Sequence, residues 1–208
     1  MKTCISFLLG WFLIFSQNSL SAQDFFFELG LNLSDYHNIL NNKTNNGGSA
    51  TIPGWRIAVT HEATLGTNFG FTSGLSFSGR GFKTDTLRRN VYYLNLPINL
   101  KYYFNNQGDK NYLMLGPYAG MGLFGNDVTP AVADSPSITE DTRMGAGGVA
   151  KFDAGFTFGF GRQWKKIDLS IQYNLGLVDL TGDTSRDNGS FNRTLAFIVC
   201  YRLGHGKQ

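Results

Sequence analysis

Apolar and polar residues alternate through most of the chain, most plainly from Phe152 to Leu180. Ala154, Phe156, Phe158 and Phe160 alternate with Asp153, Gly155, Thr157 and Gly159. After a short turn, Ile167, Leu169, Ile171, Tyr173, Leu175 and Leu177 alternate with Asp168, Ser170, Gln172, Asn174 and Gly176. Successive side chains of a strand point to opposite faces, so the spacing predicts two strands, each with one oily and one wet face.

Six further segments carry the same period. They are about Phe25–Ser34, Gly54–Glu62, Phe69–Ser78, Val91–Phe104, Tyr112–Phe124 and Arg193–Leu203. Their apolar faces hold residues such as Leu29, Trp55, Leu75, Leu96, Leu115 and Phe197, and from the first apolar outward residue of each segment to its last no Asp, Glu, Lys or Arg interrupts that side. The polar faces carry Glu28, Glu62, Asp153 and Asp168 against Arg56, Lys101, Lys151 and Arg202. A charge facing lipid costs roughly 2–4 kcal/mol at the bilayer midplane, so this sorting places lipid on the apolar side and the charges in a lumen. A soluble barrel would show the reverse.

The connections, 35–53, 63–68, 79–90, 105–111, 125–148, 161–166 and 181–192, alternate between long and short. That is the signature of an up-and-down barrel with long extracellular loops and short periplasmic turns. The fold expected is therefore all-β: an eight-stranded antiparallel transmembrane β-barrel, its amino terminus periplasmic. Tyr92, Tyr102, Phe104, Trp55, Phe69 and Phe77 fall near strand ends, where interfacial aromatic girdles lie. Pro97 sits inside a strand and cannot donate a ladder hydrogen bond, so a bulge or kink is expected there, with its ring in the lumen.

Composition agrees. Charged residues are only 16% of the 208, while Gly numbers 26 and Phe 18. Lys2, the apolar run Ile5 to Phe15 and small residues up to Ala22 read as a cleaved signal peptide over residues 1–22, leaving 23–208 as the barrel. Cys200 is then the single cysteine of the mature chain, so neither an internal disulfide nor cysteine metal spacing is expected. The net charge of +3 comes with no basic block, which argues against nucleic acid.

Eight strands enclose a space just wide enough for side chains to fill. Glu28, Arg56, Glu62, Lys101, Lys151, Asp153, Asp168 and Arg202 are expected to form a paired structural network there, with Tyr93, Tyr103, Met114 and Tyr118 adding bulk. A narrow polar pore is the alternative. Inward glycines, among them Gly70, Gly122 and Gly159, would make room for large neighbours. Catalysis would need a nucleophile, a base and an orienting group; His37 near Asp35, Asp179 and Asp183 offers at most a rim dyad. No cofactor and no metal is expected, and Asp134, Glu140 and Asp141 read as solvated loop charge.

Several stretches together resemble the PorT-like outer-membrane β-barrel family of Bacteroidota, which has an OmpA/OmpX-like barrel. They are GLSFSGRGFK at Gly74–Lys83, YLNLPINLKYYF at Tyr93–Phe104, GPYAG at Gly116–Gly120 and FDAG…GFG…KKIDLSIQYNLGLVDL at Phe152–Leu180. The resemblance covers the whole mature chain and implies an eight-stranded barrel. Its founding member is associated with protein secretion and gliding, and the family offers no catalytic motif to transfer. Leu203 stands where an aromatic residue is common near the end of such barrels. The function expected is non-catalytic, through protein contacts in the envelope, by a monomeric barrel whose partners are outer-membrane lipid and other envelope proteins. A small channel or solute-binding barrel, and a rim-site hydrolase, are the alternatives.

Overall fold

The computed structural model describes residues 23–40, 43–44, 49–104, 108–131, 136–145, 148–181 and 189–205. The expected signal peptide lies outside these residues, as do the polar runs 45–48 and 182–188. Ten strands form: β1 (Gln23–Leu40), β2 (Lys43–Thr44), β3 (Ile52–Leu65), β4 (Phe69–Lys83), β5 (Arg88–Tyr103), β6 (Lys110–Thr129), β7 (Ile138–Asp141), β8 (Phe152–Gln163), β9 (Ile167–Gly176) and β10 (Gly189–His205).

Eight of them close a ring. Each long strand pairs antiparallel with the next, and β10 returns to β1 from Asp24 opposite His205 to Ile39 opposite Gly189. Closure leaves no free long edge, so each spanning strand has a neighbour on both sides, the condition for a sheet in lipid. The short strands β2 and β7 hang on β1 and β6 at the long-loop end.

The faces sort as the alternation requires. Leu31, Leu75, Phe160 and Val199 leave more than half of their surface exposed on the outside, whereas Glu28, Arg56, Lys101, Asp153 and Asp168 are buried inside. This is the reverse of a soluble barrel.

Three expectations need correction. The connection 79–90 is not a long loop. β4 and β5 continue past it, pairing Lys83 with Arg88, and only 84–87 turns the chain. Thr84 closes that turn by accepting from the Leu87 amide at 3.0 Å. Strict long–short alternation therefore fails here, because the extended hairpin satisfies backbone groups that a loop would leave to water. Second, Pro97 makes no bulge. Its ring is buried in the lumen, and the ladder to β4 skips Leu96 and Pro97 while the register on both sides is the same. The β5–β6 register shifts instead at Tyr92/Tyr93, which leaves Leu123 without an opposite residue. Third, Lys151 is exposed, just before β8 begins.

Residues 143–145 and 148–151, between β7 and β8, turn toward the mouth. Gly145, at φ 93°, lets the chain reverse there. Amides of Gly122 and Ala150 bond the carbonyls of Lys151 and Leu180 at 2.6 and 3.0 Å. Val149 and Leu180 are thereby buried against Tyr36, with Met144 and Phe82 around them.

Candidate functional site in the barrel lumen

Side chains from facing strands meet inside the ring in three polar layers. Nearest the short turns, Lys101 of β5 donates to Glu62 of β3 at 2.8 Å and to Asp168 of β9 at 3.0 Å. One ammonium thus serves two carboxylates. The remaining oxygens are met by tyrosines: Tyr103 donates to Glu62, and Tyr112 to Asp168 at 2.6 Å. The Tyr112 ring also lies 4.3 Å from the Lys101 nitrogen, a cation–π contact. At the rim below, Arg202 faces Asp24 at 3.4 Å, with its guanidinium over Phe26.

In the middle, Arg56 pairs with Glu28 at 3.1 Å, and Thr60 donates to the other Glu28 oxygen at 2.7 Å. Toward the long loops, Arg80 of β4 meets Asp153 of β8 at 3.0 Å. Tyr118 and Asn192 donate to the same Asp153 oxygen at 3.1 and 2.9 Å. Arg80 lies against the rings of Tyr93 and Tyr118. Buried charges persist where each is paired and hydrogen-bonded, and every charge of the three layers has an ion-pair partner, while Arg56 Nε, Arg80 Nε and Asp153 Oδ1 are buried without a hydrogen bond.

Of the eight charges expected in the network, Glu28, Arg56, Glu62, Lys101, Asp153 and Asp168 come together in these layers, and Arg202 sits at the rim. Lys151 does not enter. Its carbonyl is tied to Gly122, and its exposed side chain runs along Gly145. The base opposite Asp153 is Arg80, which lay in the segment expected to be a loop. The one sequence signal is parity: Ser76, Ser78 and Arg80 share the inward side, although the outward Gly79 and Gly81 interrupt the apolar face.

Glycines make the space. A side-chain carbon at Gly70 would come 3.1 Å from the Tyr103 ring, and one at Gly159 2.9 Å from Met114. At Gly161 and Gly122 it would overlap Tyr112 and Met144. Large side chains thus occupy the space these glycines leave, and at the upper end Val149 and Leu180 are buried with Met144 packed against them.

The described rim groups considered for catalysis have ladder and anchoring places. His37 lies opposite Phe191, and Asp35 opposite Arg193, in the β1–β10 ladder. The Asp179 carboxylate accepts from Thr181 and from the Ser190 amide, an anchoring role. Asp183 lies outside the described residues. Among the described residues no group of three or more His, Cys, Asp or Glu could hold a metal.

The outer wall carries two aromatic rows. Trp55, Phe77, Tyr92 and Phe124 lie side by side on β3 to β6, with ring centroids 4.9–6.2 Å apart. At the short-turn end, Phe25 meets His61, and Tyr102 meets Phe69 and Phe104. Tyr92 and Tyr102 are ten residues apart on β5. At ~3.3 Å per residue and a tilt of ~40°, that spacing is about 25 Å across the membrane, the height of the apolar band of an outer-membrane barrel.

A model of the outer membrane protein beta-barrel domain matches residues 15–182. The chain belongs to that family. Its place is the outer membrane. This outer-membrane barrel is also similar to solved structures, at low identity. Ail, the attachment invasion locus protein of Yersinia pestis, is 12% identical over 88% of this chain and 98% of its own, with a TM-score of 0.42. Neisserial surface protein A is 11% identical over 88% and 99%, with a TM-score of 0.47. The outer membrane protease OmpT from Escherichia coli is 9% identical over 89% and 98%, with a TM-score of 0.39. Among curated proteins none matches the chain.

Proposed function

We propose that this outer-membrane barrel acts without catalysis, through protein contacts in the envelope, with its long loops outside the cell and its amino terminus in the periplasm. One observation carries the reading. The lumen is taken up by three ion-paired layers and stoppered by Val149 and Leu180, so the surface left for work is the sheet that projects past the upper aromatic row. That sheet comprises the β4–β5 turn and the β6–β7 hairpin, whose outer strand Ile138–Asp141 is exposed and pairs with β6 alone among the described residues. An unpaired strand edge recruits extended segments of other chains. The PorT-like resemblance points the same way, toward a component of secretion or envelope assembly. A photo-crosslinker at Thr139, compared with one at Asn68 on the opposite end, tests this in intact cells. The reading expects a discrete envelope protein captured at Thr139 only. No adduct at Thr139, together with steady conductance of the purified barrel in planar bilayers, would replace it with the channel reading.

A further inference from the structure

The outer wall is not uniform. On β3 to β6 its upper margin carries an aromatic row; on β8, β9, β10 and β1 the wall carries instead, nearer the short turns, a groove of about 600 Å³. The strand register explains the groove. Leu31, Phe197, Ile171 and Phe160 stand opposite one another across four strands and form one ridge. Two residues nearer the short turns, Leu29, Val199, Leu169 and Arg162 form a second. The channel between them is apolar, and its second ridge ends in a cation.

That cation belongs to a basic turn. Lys165 and Lys166 follow Arg162 and are exposed, and Trp164 lies 5.2 Å from the Arg162 guanidinium. The turn is held in place, because Trp164 donates to the Ile167 carbonyl and the Arg202 amide donates to Lys166. The other turns at this end carry no such excess. Residues 66–68 are uncharged, and Asp109 lies beside Lys110 while pairing with Arg162. Positive charge at this end is therefore concentrated where the groove reaches the membrane surface.

We propose that the groove holds an acyl chain of an anionic phospholipid whose phosphate is met by Lys165 and Lys166, with Arg162 beside them in an exposed pair with Asp109 that a phosphate can share. An apolar channel alone would accept any lipid. The adjoining cations select the headgroup, and Trp164 sits at the depth where an indole suits the glycerol region. The inference rests on the outer wall facing lipid.

Trp164 is also the reporter. The chain has three tryptophans, so Trp11→Phe/Trp55→Phe leaves it as the single indole. The barrel is reconstituted in phosphatidylcholine vesicles holding a minor fraction of lipid brominated on its acyl chains, either phosphatidylglycerol or phosphatidylcholine. Brominated phosphatidylglycerol is expected to quench Trp164 at a several-fold lower mole fraction, about fivefold for each lysine engaged. Arg162→Gln/Lys165→Gln/Lys166→Gln, with closure of the barrel checked by its heat-modifiable gel shift, should remove the preference. Leu29→Phe/Val199→Phe, which fills the groove, should weaken quenching by phosphatidylglycerol while the turn is intact. Equal quenching by both lipids, or a preference that survives either variant, overturns the proposal. Displacement of the lipid by inorganic phosphate would make the turn an anion site independent of the groove and overturn it too. If neither lipid quenches, the membrane-facing assignment itself fails.

Discussion

Lys101→Met is the sharpest perturbation of the lumen. Lys101 is buried and its nitrogen bonds Glu62 at 2.8 Å and Asp168 at 3.0 Å. Removing the ammonium leaves two buried carboxylates whose oxygens, by those distances, are at most about 6 Å apart. At an effective dielectric constant of ~20, their mutual repulsion is about 3 kcal/mol. The lost attraction to Lys101 is offset in part, because a methionine needs no desolvation and keeps much of the volume. Breaking one side of a buried pair costs about 3–5 kcal/mol, and the repulsion estimated here falls at the bottom of that range. The measurement is reversible urea unfolding of the barrel in lipid vesicles, followed by Trp fluorescence and the gel shift. Lys101→Met should lower the unfolding free energy by about 3–5 kcal/mol. Lys101→Met/Glu62→Gln/Asp168→Asn, which deletes all three charges, should recover most of the loss. A single variant within about 1 kcal/mol of the parent, or a triple variant no better than the single, would refute the claim that this layer is held by charge pairing.

Three further outcomes are expected. Gly122→Val should evict Met144, whose methyl group occupies the space a side chain would need; at an overpacking cost of about 1–3 kcal/mol, amide exchange at Gly122 and Ala150 should rise before the barrel itself loosens. Spin labels at Phe156 and Ile171 should report hydrocarbon, and labels at Asp153 and Gln172 the polar interior; the opposite result would turn the barrel inside out. Above the upper aromatic row, burial pushes the Asp127 carboxyl up, but hydrogen bonds from Arg89 and Thr142 outweigh it and hold the group below the usual carboxylate range. A depressed folded pKa gives stabilisation that is complete above the unfolded value of ~3.9 and is lost as pH falls below it. The β6–β7 hairpin should therefore hold its amide protection at pH 5 and shed it only below about pH 4, and Asp127→Asn should abolish that dependence.

The eight strands of the ring, which of their faces points inward and most of the lumen charges were legible because a period of two leaves no freedom once one face is charge-free; the short β2 and β7 were not. Strand ends were not. Arg80 follows Ser76 and Ser78 on the inward side, but the neighbouring Gly79 and Gly81 read as loop residues, and only pairing with β5 shows that the strand continues. Lys151 has the parity of Asp153, yet the backbone at Lys151 is committed to Gly122, so parity stops predicting direction one residue before β8. Pro97 removes a donor without adding a residue, which explains a skipped pairing with an unchanged register. The shift at Tyr92/Tyr93 needs an extra residue on β6, Leu123, and nothing in the local composition marks it. The stopper built from Val149 and Leu180 was invisible because it depends on two segments that meet only after closure.

The seam between β1 and β10 sets a schedule for making this molecule. Ser34 and Thr194 hydrogen-bond across it although 160 residues separate them, and they can meet only after the last strand has emerged. Until then Gln23–Leu40 presents a bare edge, and contacts so distant along the chain form slowly. The first strand therefore lacks its second neighbour until the last one arrives, and pairing of that edge with another copy is the error that closure removes.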